Sequence, residues 1–385
     1  MPRILYLVHN LADPAVGRRV AMFRQGGAEV DVVGFRRGDA PLPDLPVNTV
    51  LELDITHDGR MLHRLGATLK AAWRAPRWAR SLPRPDVIVA RNLEMLGVAR
   101  RLLASWDVAP GLVYECLDIH RLMLRQDPIG RGMRGLEQRL MANVDLVLTS
   151  SPGFVRHYFD LYGAPPLQLV ENKVFAPGIA AFACNPALQD DPTVLRMGWF
   201  GALRCRTSLA ALDALTRRLD GRLNVVLAGR PALSEFDDFH ATVASAPHID
   251  FRGSFAYPQD LAGLYGAVHF VWAIDFFEAG LNSSWLLPNR LYEGCLNGAI
   301  PIALAGTETA AFIERLGIGV VLPDISQASL IAMIEAMTPE RLRQLAADVA
   351  AQDRALFLCE AGECVDLVQR LAHHKPAQPE LEVAA

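Results

Sequence analysis

The stretch Ile4-Leu5-Tyr6-Leu7-Val8-His9-Asn10-Leu11-Ala12-Asp13-Pro14 begins as an unbroken apolar run and turns into a loop that closes on Asp13-Pro14. Such a run fits a strand buried on both faces, as strands of parallel sheets are. A helical stretch over 16–25 follows, stopped by Gly26-Gly27, and residues 29–35 read as a second strand. Strand, loop, helix, glycine stop and strand make a βαβ unit of about 30 residues. Similar strands are expected at 87–90, 112–115 and 146–149, with amphipathic helical segments between them. The alternation predicts an α/β fold with a doubly wound parallel sheet.

The pattern lapses around 172–193, where Pro177, Pro186 and Pro192 with Asp190-Asp191 read as an interdomain linker. A second series then begins, with strands expected at 195–200, 223–228, 249–252, 268–274, 300–305 and 320–322. Two Rossmann-like domains are predicted, 1–175 and 176–350. Residues 351–385 are expected to form a helix packing back towards the first domain, and then a frayed tail after about 372. A chain of 385 residues is long enough for two such cores.

Composition narrows the class. Hydrophobic residues make up 51% of the chain and charged residues 21%, which excludes bulk disorder. The apolar opening is too short for a secretion signal. The longest later run, 264–277, contains His269 and Asp275 and falls short of the ~20 residues of a membrane span. A cytoplasmic protein is expected. The six cysteines, including Cys359 and Cys364 in an expected helix, form no CxxC pair, so they read as reduced, buried small residues. Residues 1–175 hold 23 Lys and Arg against 18 Asp and Glu, a net of +5, whereas the remainder holds 15 against 24, a net of −9. The two halves are therefore expected to meet different partners.

Open α/β sheets bind ligands beyond the carboxyl ends of their strands. No GxGxxG follows the first strand and no P-loop occurs, which argues against nicotinamide and ATP enzymes. The richest strand-end stretch runs from Phe277 through Glu278, Asn282, Ser283, Pro288, Asn289 and Arg290 to Glu293. A helix starting near Pro288 offers free amides to a diphosphate. Glu293, one turn in, is placed to accept from ribose hydroxyls; on an isolated amphipathic helix it would instead read as a solvated carboxylate.

Pro288-Asn289-Arg290-Leu291-Tyr292-Glu293-Gly294, followed by Asn297-Gly298-Ala299-Ile300-Pro301-Ile302, resembles the donor-site signature of GT-B glycosyltransferases of group 1. The likeness covers most of the chain. Met197 to Arg204 is similar to the opening of that family's second domain, and Leu227 to Arg230, Phe251 to Gly253, Tyr257 and Leu264-Tyr265 match in order. Arg91-Asn92-Leu93-Glu94 and Tyr114 to His120 look closest to exopolysaccharide enzymes of the succinoglycan type. The resemblance implies a GT-B fold, two Rossmann-like domains facing a central cleft that closes on the substrates. It implies a donor site built from Gly201, Arg204, Arg230, Tyr257, Asn282, Ser283, Pro288, Asn289, Arg290 and Glu293. It also implies an acceptor side with His9, Asn10, Arg91, Asn92 and Glu94, and Asp118, His120 and Glu278 at the reaction centre. An inverting enzyme would use Asp118 or His120 as base; a retaining one would use His120 to position the donor. Against these stand a locally hydrogen-bonded His120, an Arg204 that caps a helix and an Arg230 exposed on a turn.

The chain departs from the family at two places. Retaining members carry a second glutamate eight residues before Glu293, where this chain has Trp285, and Glu278 lies 15 residues upstream. The family's second phosphate cation, a lysine after the arginine, is absent, with only Arg206 and Ser208 following Arg204. The implied reaction moves a hexose, glucose from UDP-glucose, onto a lipid-linked oligosaccharide in exopolysaccharide synthesis. The nucleotide-sugar is a substrate, and neither a metal, a cofactor nor a nucleic acid is expected. A UDP-sugar epimerase and a non-catalytic nucleotide-binding protein remain the alternatives. Residues 60–84 carry seven basic and no acidic residues, with Trp73 and Trp78 interleaved. That stretch reads either as an ordinary surface helix or as contact with the anionic inner face of the cytoplasmic membrane.

Overall fold

The structure, a computed structural model, describes residues 1–38, 42, 44–56, 61–178 and 194–373. Most of the expected linker, Cys184, Arg60 and the tail beyond 373 lie outside the described residues. By its contacts the chain forms two units. The first comprises Met1–Ser150, Val155–Val170 and the chain from Glu360; the second comprises Ser151–Phe154 and Glu171–Cys359.

The first unit is a parallel sheet of β1 (Arg3–Val8), β2 (Glu29–Arg37), β3 (Thr49–Thr56), β4 (Val87–Arg91), β5 (Gly111–Cys116), β6 (Leu146–Thr149) and β7 (Leu167–Leu169). Its order is β3-β2-β1-β4-β5-β6-β7. The central strands are buried along nearly their whole length, as their apolar runs require. The sequence reading missed β3 and β7. β3 is an edge strand of mixed residues, Thr49-Val50-Leu51-Glu52-Leu53-Asp54, and most of it is only half-buried, so it carries no continuous apolar run. β7 has three residues, too few for a periodic signal.

Helix Pro14–Gln25 starts where the sequence places it: Asp13 caps it, accepting from the Ala15 amide. Gly26 ends it because another backbone passes there. A Cβ on Gly26 would lie 2.2 Å from the Cys364 carbonyl oxygen, in helix Ala361–His373. That approach makes the last helix part of the first unit. Cys359 precedes this helix, where an expected helix would have included it; its amide donates to the Val174 carbonyl at 2.8 Å within the second unit. The five described cysteines are buried, and none of them forms a disulfide.

The second unit is a parallel sheet of β8 (Leu195–Leu203), β9 (Leu223–Pro231), β10 (Ile249–Phe251), β11 (Phe270–Trp272), β12 (Ile300–Leu304) and β13 (Val320–Leu322). The order is β10-β9-β8-β11-β12-β13. Successive residues face opposite sides: Met197 and Trp199 join a core with Leu209, Leu212 and Leu215 of helix Arg206–Leu219. Phe200 joins the other core, with Leu291, Tyr292 and Cys295 of helix Asn289–Leu296. In both sheets the first strand lies inside, and the winding reverses beside it, between β1 and β4 and between β8 and β11. These are the switch points at which such sheets open a crevice.

At the carboxyl ends of β8 and β9, Gly201 and Gly229 are register partners, both in the left-handed region (φ +103° and +135°). A Cβ on Gly229 would lie 1.8 Å from the Gly201 carbonyl oxygen. Gly229→Ala is therefore expected to destabilise the second unit by about 3 kcal/mol. Gly263→Ala, inside helix Leu261–Gly266 with open space around it, is expected to raise stability by about 0.5–1 kcal/mol. Paired thermal melts of the two variants check this.

Candidate active site

In the second unit the polar groups gather at the switch point. β8 ends at Leu203 and Arg204 follows it; β11 ends at Trp272 and Asp275 lies three residues on. Arg204 Nε lies 3.3 Å from Asp275 Oδ2, so the pair bridges the two strands that flank the crevice. Arg290 Nη2 reaches the same oxygen at 3.5 Å. Arg290 is buried, its Nε has no hydrogen-bond partner, and burial lowers its pKa from the usual arginine value. A buried guanidinium with one distant counter-ion is a positive charge only partly compensated.

Arg290 belongs to the first turn of helix Asn289–Leu296. Pro288 stands at the cap with φ −72° and ψ 148°, and no side chain caps the helix. The first amides and the positive end of the helix dipole are thus added to the two guanidiniums. The loop before the helix is fixed from outside: the Glu308 amide donates to the Ser284 carbonyl at 2.7 Å, and Thr309 Oγ1 donates to the Leu286 carbonyl at 3.2 Å. Within the loop the Glu278 amide donates to Ser283 Oγ at 2.8 Å, and Asn282 is buried.

Glu293 is buried one turn into that helix, and its Oε2 accepts from the Tyr265 hydroxyl at 2.8 Å. Burial and then the neighbouring carboxylate push the tyrosine pKa well up, so the hydroxyl stays a donor. Asn289 and Arg230 are exposed, Arg230 near the carboxyl end of β9. Tyr257 is occupied elsewhere: its hydroxyl accepts from the Phe175 amide at 3.0 Å and donates to the Phe175 carbonyl. It anchors residues 175–176 against the unit.

In the first unit, His9 follows β1 and Asn92 follows β4, and the Asn92 amide lies 3.1 Å from His9 Nδ1. This contact too spans a switch point. Asn92 adopts φ +71°, a left-handed conformation that asparagine tolerates better than most residues. The Asn10 Oδ1 accepts from the Ala12 amide, which shapes the loop. After β5, Asp118 and His120 are exposed. His120 caps helix Arg121–Leu124, its Nδ1 accepting from the Leu122 amide at 3.3 Å. That bond occupies the Nδ1 lone pair and leaves the proton of a neutral ring on Nε2, as a donor.

Arg91 has a different occupation from the acceptor contact expected of it. It is buried, and its guanidinium donates to the Tyr6 hydroxyl at 3.0 Å and faces Glu115 and Asp13. Glu115, fully buried in β5, also accepts from Arg19 Nε at 2.7 Å and from the Tyr6 hydroxyl. Burial alone would raise the Glu115 pKa; Arg19 and Arg91 outweigh it and hold the carboxyl below its usual value. Removing Glu115 would leave the buried Arg19 without a carboxylate and Arg91 with Asp13 alone, at a cost of about 3–5 kcal/mol. Its signal was a lone acid inside the apolar strand Gly111–Cys116. Glu94 is half-buried on helix Asn92–Leu102. Asp275 was the other residue that sequence reasoning missed, noted only as a break in an apolar run.

Residues 12–173 match the model of the glycosyl transferase 4-like domain. Succinoglycan biosynthesis protein ExoL of Rhizobium meliloti (strain 1021) is 47% identical over 378 residues, covering 97% of this chain and 94% of that protein. This chain is a glycosyltransferase of the glycosyl transferase 4-like family. Among solved structures, sucrose-phosphate synthase from Thermosynechococcus elongatus superposes with a TM-score of 0.73 at 15% identity, over 96% of this chain and 99% of its own. Anabaena HepE, solved in complex with UDP and glucose, gives 0.63 at 16% identity, over 97% and 98%. These two show a shared GT-B fold. In this glycosyltransferase Trp285, at the position of the second glutamate, is a packing point: its carbonyl accepts from Ser151 Oγ, and Gly153 lies against it.

Below β5, Glu137 is buried and accepts from the Tyr114 and Tyr158 hydroxyls. Burial pushes its pKa from 4.5 up to about 6, against the two tyrosine hydrogen bonds. A carboxyl with a raised native pKa binds its proton more tightly in the folded state. It therefore contributes stability below its unfolded pKa that is lost as pH rises through about 6. The stability of Glu137→Gln relative to the natural chain is expected to rise by about 2 kcal/mol between pH 4 and 7. Urea unfolding across that range checks it.

Proposed function

We propose that this glycosyltransferase takes a hexose from a nucleoside diphosphate sugar, UDP-glucose, and places it on a lipid-linked oligosaccharide in exopolysaccharide synthesis. The observation that carries the donor half is the under-compensated Arg290, buried at an uncapped helix start beside Arg204. Two guanidiniums and a set of helix amides at one strand crevice suit a diphosphate. They are fixed before the reaction, so they stabilise the charge that develops on the leaving diphosphate without reorganising. Arg290 takes the part of the family's missing lysine. No metal enters this reading.

Glu293, held by Tyr265, is the acceptor for ribose hydroxyls. On the first unit Asp118 is the group left to take the acceptor hydroxyl's proton, because His120 presents a donor rather than a lone pair. The Rhizobium relative is a succinoglycan biosynthesis protein, which supports an exopolysaccharide product. UDP with glucose in the Anabaena neighbour supports the donor.

The lipid-linked acceptor accords with the surface of helix Met61–Ala79. This helix turns Ala67, Ala71, Ala75 and Ala79 inward and leaves Leu69 and Trp73 more than half exposed among Lys70, Arg74 and Arg77. The guanidinium of Arg77 stacks on Trp73, 5.1 Å from the ring centre. A helix face that shows a leucine and a tryptophan beside cations suits an anionic membrane surface. Among the described residues no helix is long and apolar enough to cross a membrane.

Calorimetry with UDP, GDP, ADP and inorganic pyrophosphate tests the donor site. Arg290→Ala is expected to weaken UDP and pyrophosphate alike by about tenfold or more, and Glu293→Ala to weaken UDP but not pyrophosphate. Absence of all nucleotide binding by the folded chain overturns the reading. For the membrane, co-sedimentation with vesicles containing phosphatidylglycerol is expected to fall several-fold in Trp73→Ala/Arg74→Ala, and to be absent with phosphatidylcholine alone.

A further inference from the structure

Asp275 belongs to no part of the donor signature, yet three groups of the site converge on it. Its Oδ1 accepts from the Phe277 amide at 2.9 Å, and its Oδ2 faces both Arg204 Nε and Arg290 Nη2. Its side chain is only 5% exposed. The same turn holds Arg204 from a second side, since the guanidinium lies over the Phe277 ring, 4.5 Å from its centre.

The two arginine contacts, 3.3 and 3.5 Å, are long beside the ~2.7–2.9 Å of a charge-assisted hydrogen bond. Asp275 therefore orients both guanidiniums without saturating them. Among the described residues, Arg204 Nη1 and Nη2 make no hydrogen bond, and Arg290 Nε is buried without one. Two cations drawn towards one oxygen would otherwise repel each other and swing apart. With the carboxylate between them they converge before any ligand arrives.

We propose that Asp275 is a positioning residue of the transfer reaction, acting as a built-in counter-ion that aims Arg204 and Arg290 at the donor diphosphate. This rests on the donor-site reading above. The arrangement has two opposed effects. The carboxylate repels a bound diphosphate, which weakens donor and product binding alike and eases release of the nucleotide. It also keeps the two cations at the angle at which the leaving group acquires charge, which raises turnover.

Asp275→Asn keeps the side chain's shape and its oxygen for the Phe277 amide while removing the charge. It is expected to bind UDP about threefold or more tighter than the natural chain, with a steeper loss of affinity as salt rises. UDP release from UDP-glucose is expected to fall about tenfold, so that kcat drops while KM drops as well. A residue that merely supported the fold would weaken binding and turnover together. Where the Asn variant does not fold, Asp275→Ser, whose hydroxyl can still accept from the Phe277 amide, is expected to show the same tightening. The binding measurement alone decides where turnover is too slow to read. Tight UDP binding by the natural chain with unchanged or weaker binding by the variants overturns the role of Asp275 and leaves the donor site standing. A folded natural chain that binds no UDP overturns both.

Discussion

A right-handed crossover carries the chain to one side of a parallel strand, so covering both faces of a sheet requires the winding to reverse once. In each unit that reversal falls beside the first strand, and the neighbouring loops part there to opposite faces. Backbone amides and strand-end side chains are left facing a gap that the sheet itself cannot fill. The polar residues of both units are arranged around this constraint. His9 and Asn92 meet across the gap of the first sheet, and Arg204 and Asp275 across that of the second.

The two gaps differ in charge because their surroundings compensate it differently. In the first unit Arg19 and Arg91 share the fully buried Glu115, with Tyr6 and Asp13 completing the set. In that cluster each guanidinium has a carboxylate partner, and Asp118 and His120 lie outside it, exposed on the loop after β5. In the second unit one carboxylate serves two guanidiniums at long range, and one of them is buried with an unmet donor. A cluster short of negative charge next to an uncapped helix start is a standing requirement for an anion. The same residue type is thus fully paired in one unit and only partly compensated in the other, and the count of nearby carboxylates is what separates the two.

Side-chain exposure draws a similar distinction on helix Met61–Ala79. There Ala67, Ala71, Ala75 and Ala79 lie inside while Leu69 and Trp73 lie outside, although burying Leu69 and Trp73 would gain far more than burying alanine.

The sequence by itself determined the alternation of strands and helices, the carboxyl-end location of the polar stretches, and the helix start at Pro288 with Glu293 one turn in. These depend on local periodicity and on proline and glycine, which act over a few residues. The edge strand β3 escaped because an edge is half-solvated and has no apolar run to read. Only the tertiary structure decided which arginines are fully compensated. Arg91 and Arg290 each sit at a helix start, next to an asparagine, and look alike in one dimension. One is neutralised by Glu115, 24 positions along the chain, and the other is left to share Asp275, 15 positions before it. Which carboxylate reaches which guanidinium depends on strand order, and strand order is set by packing across the sheet rather than by any neighbour in sequence.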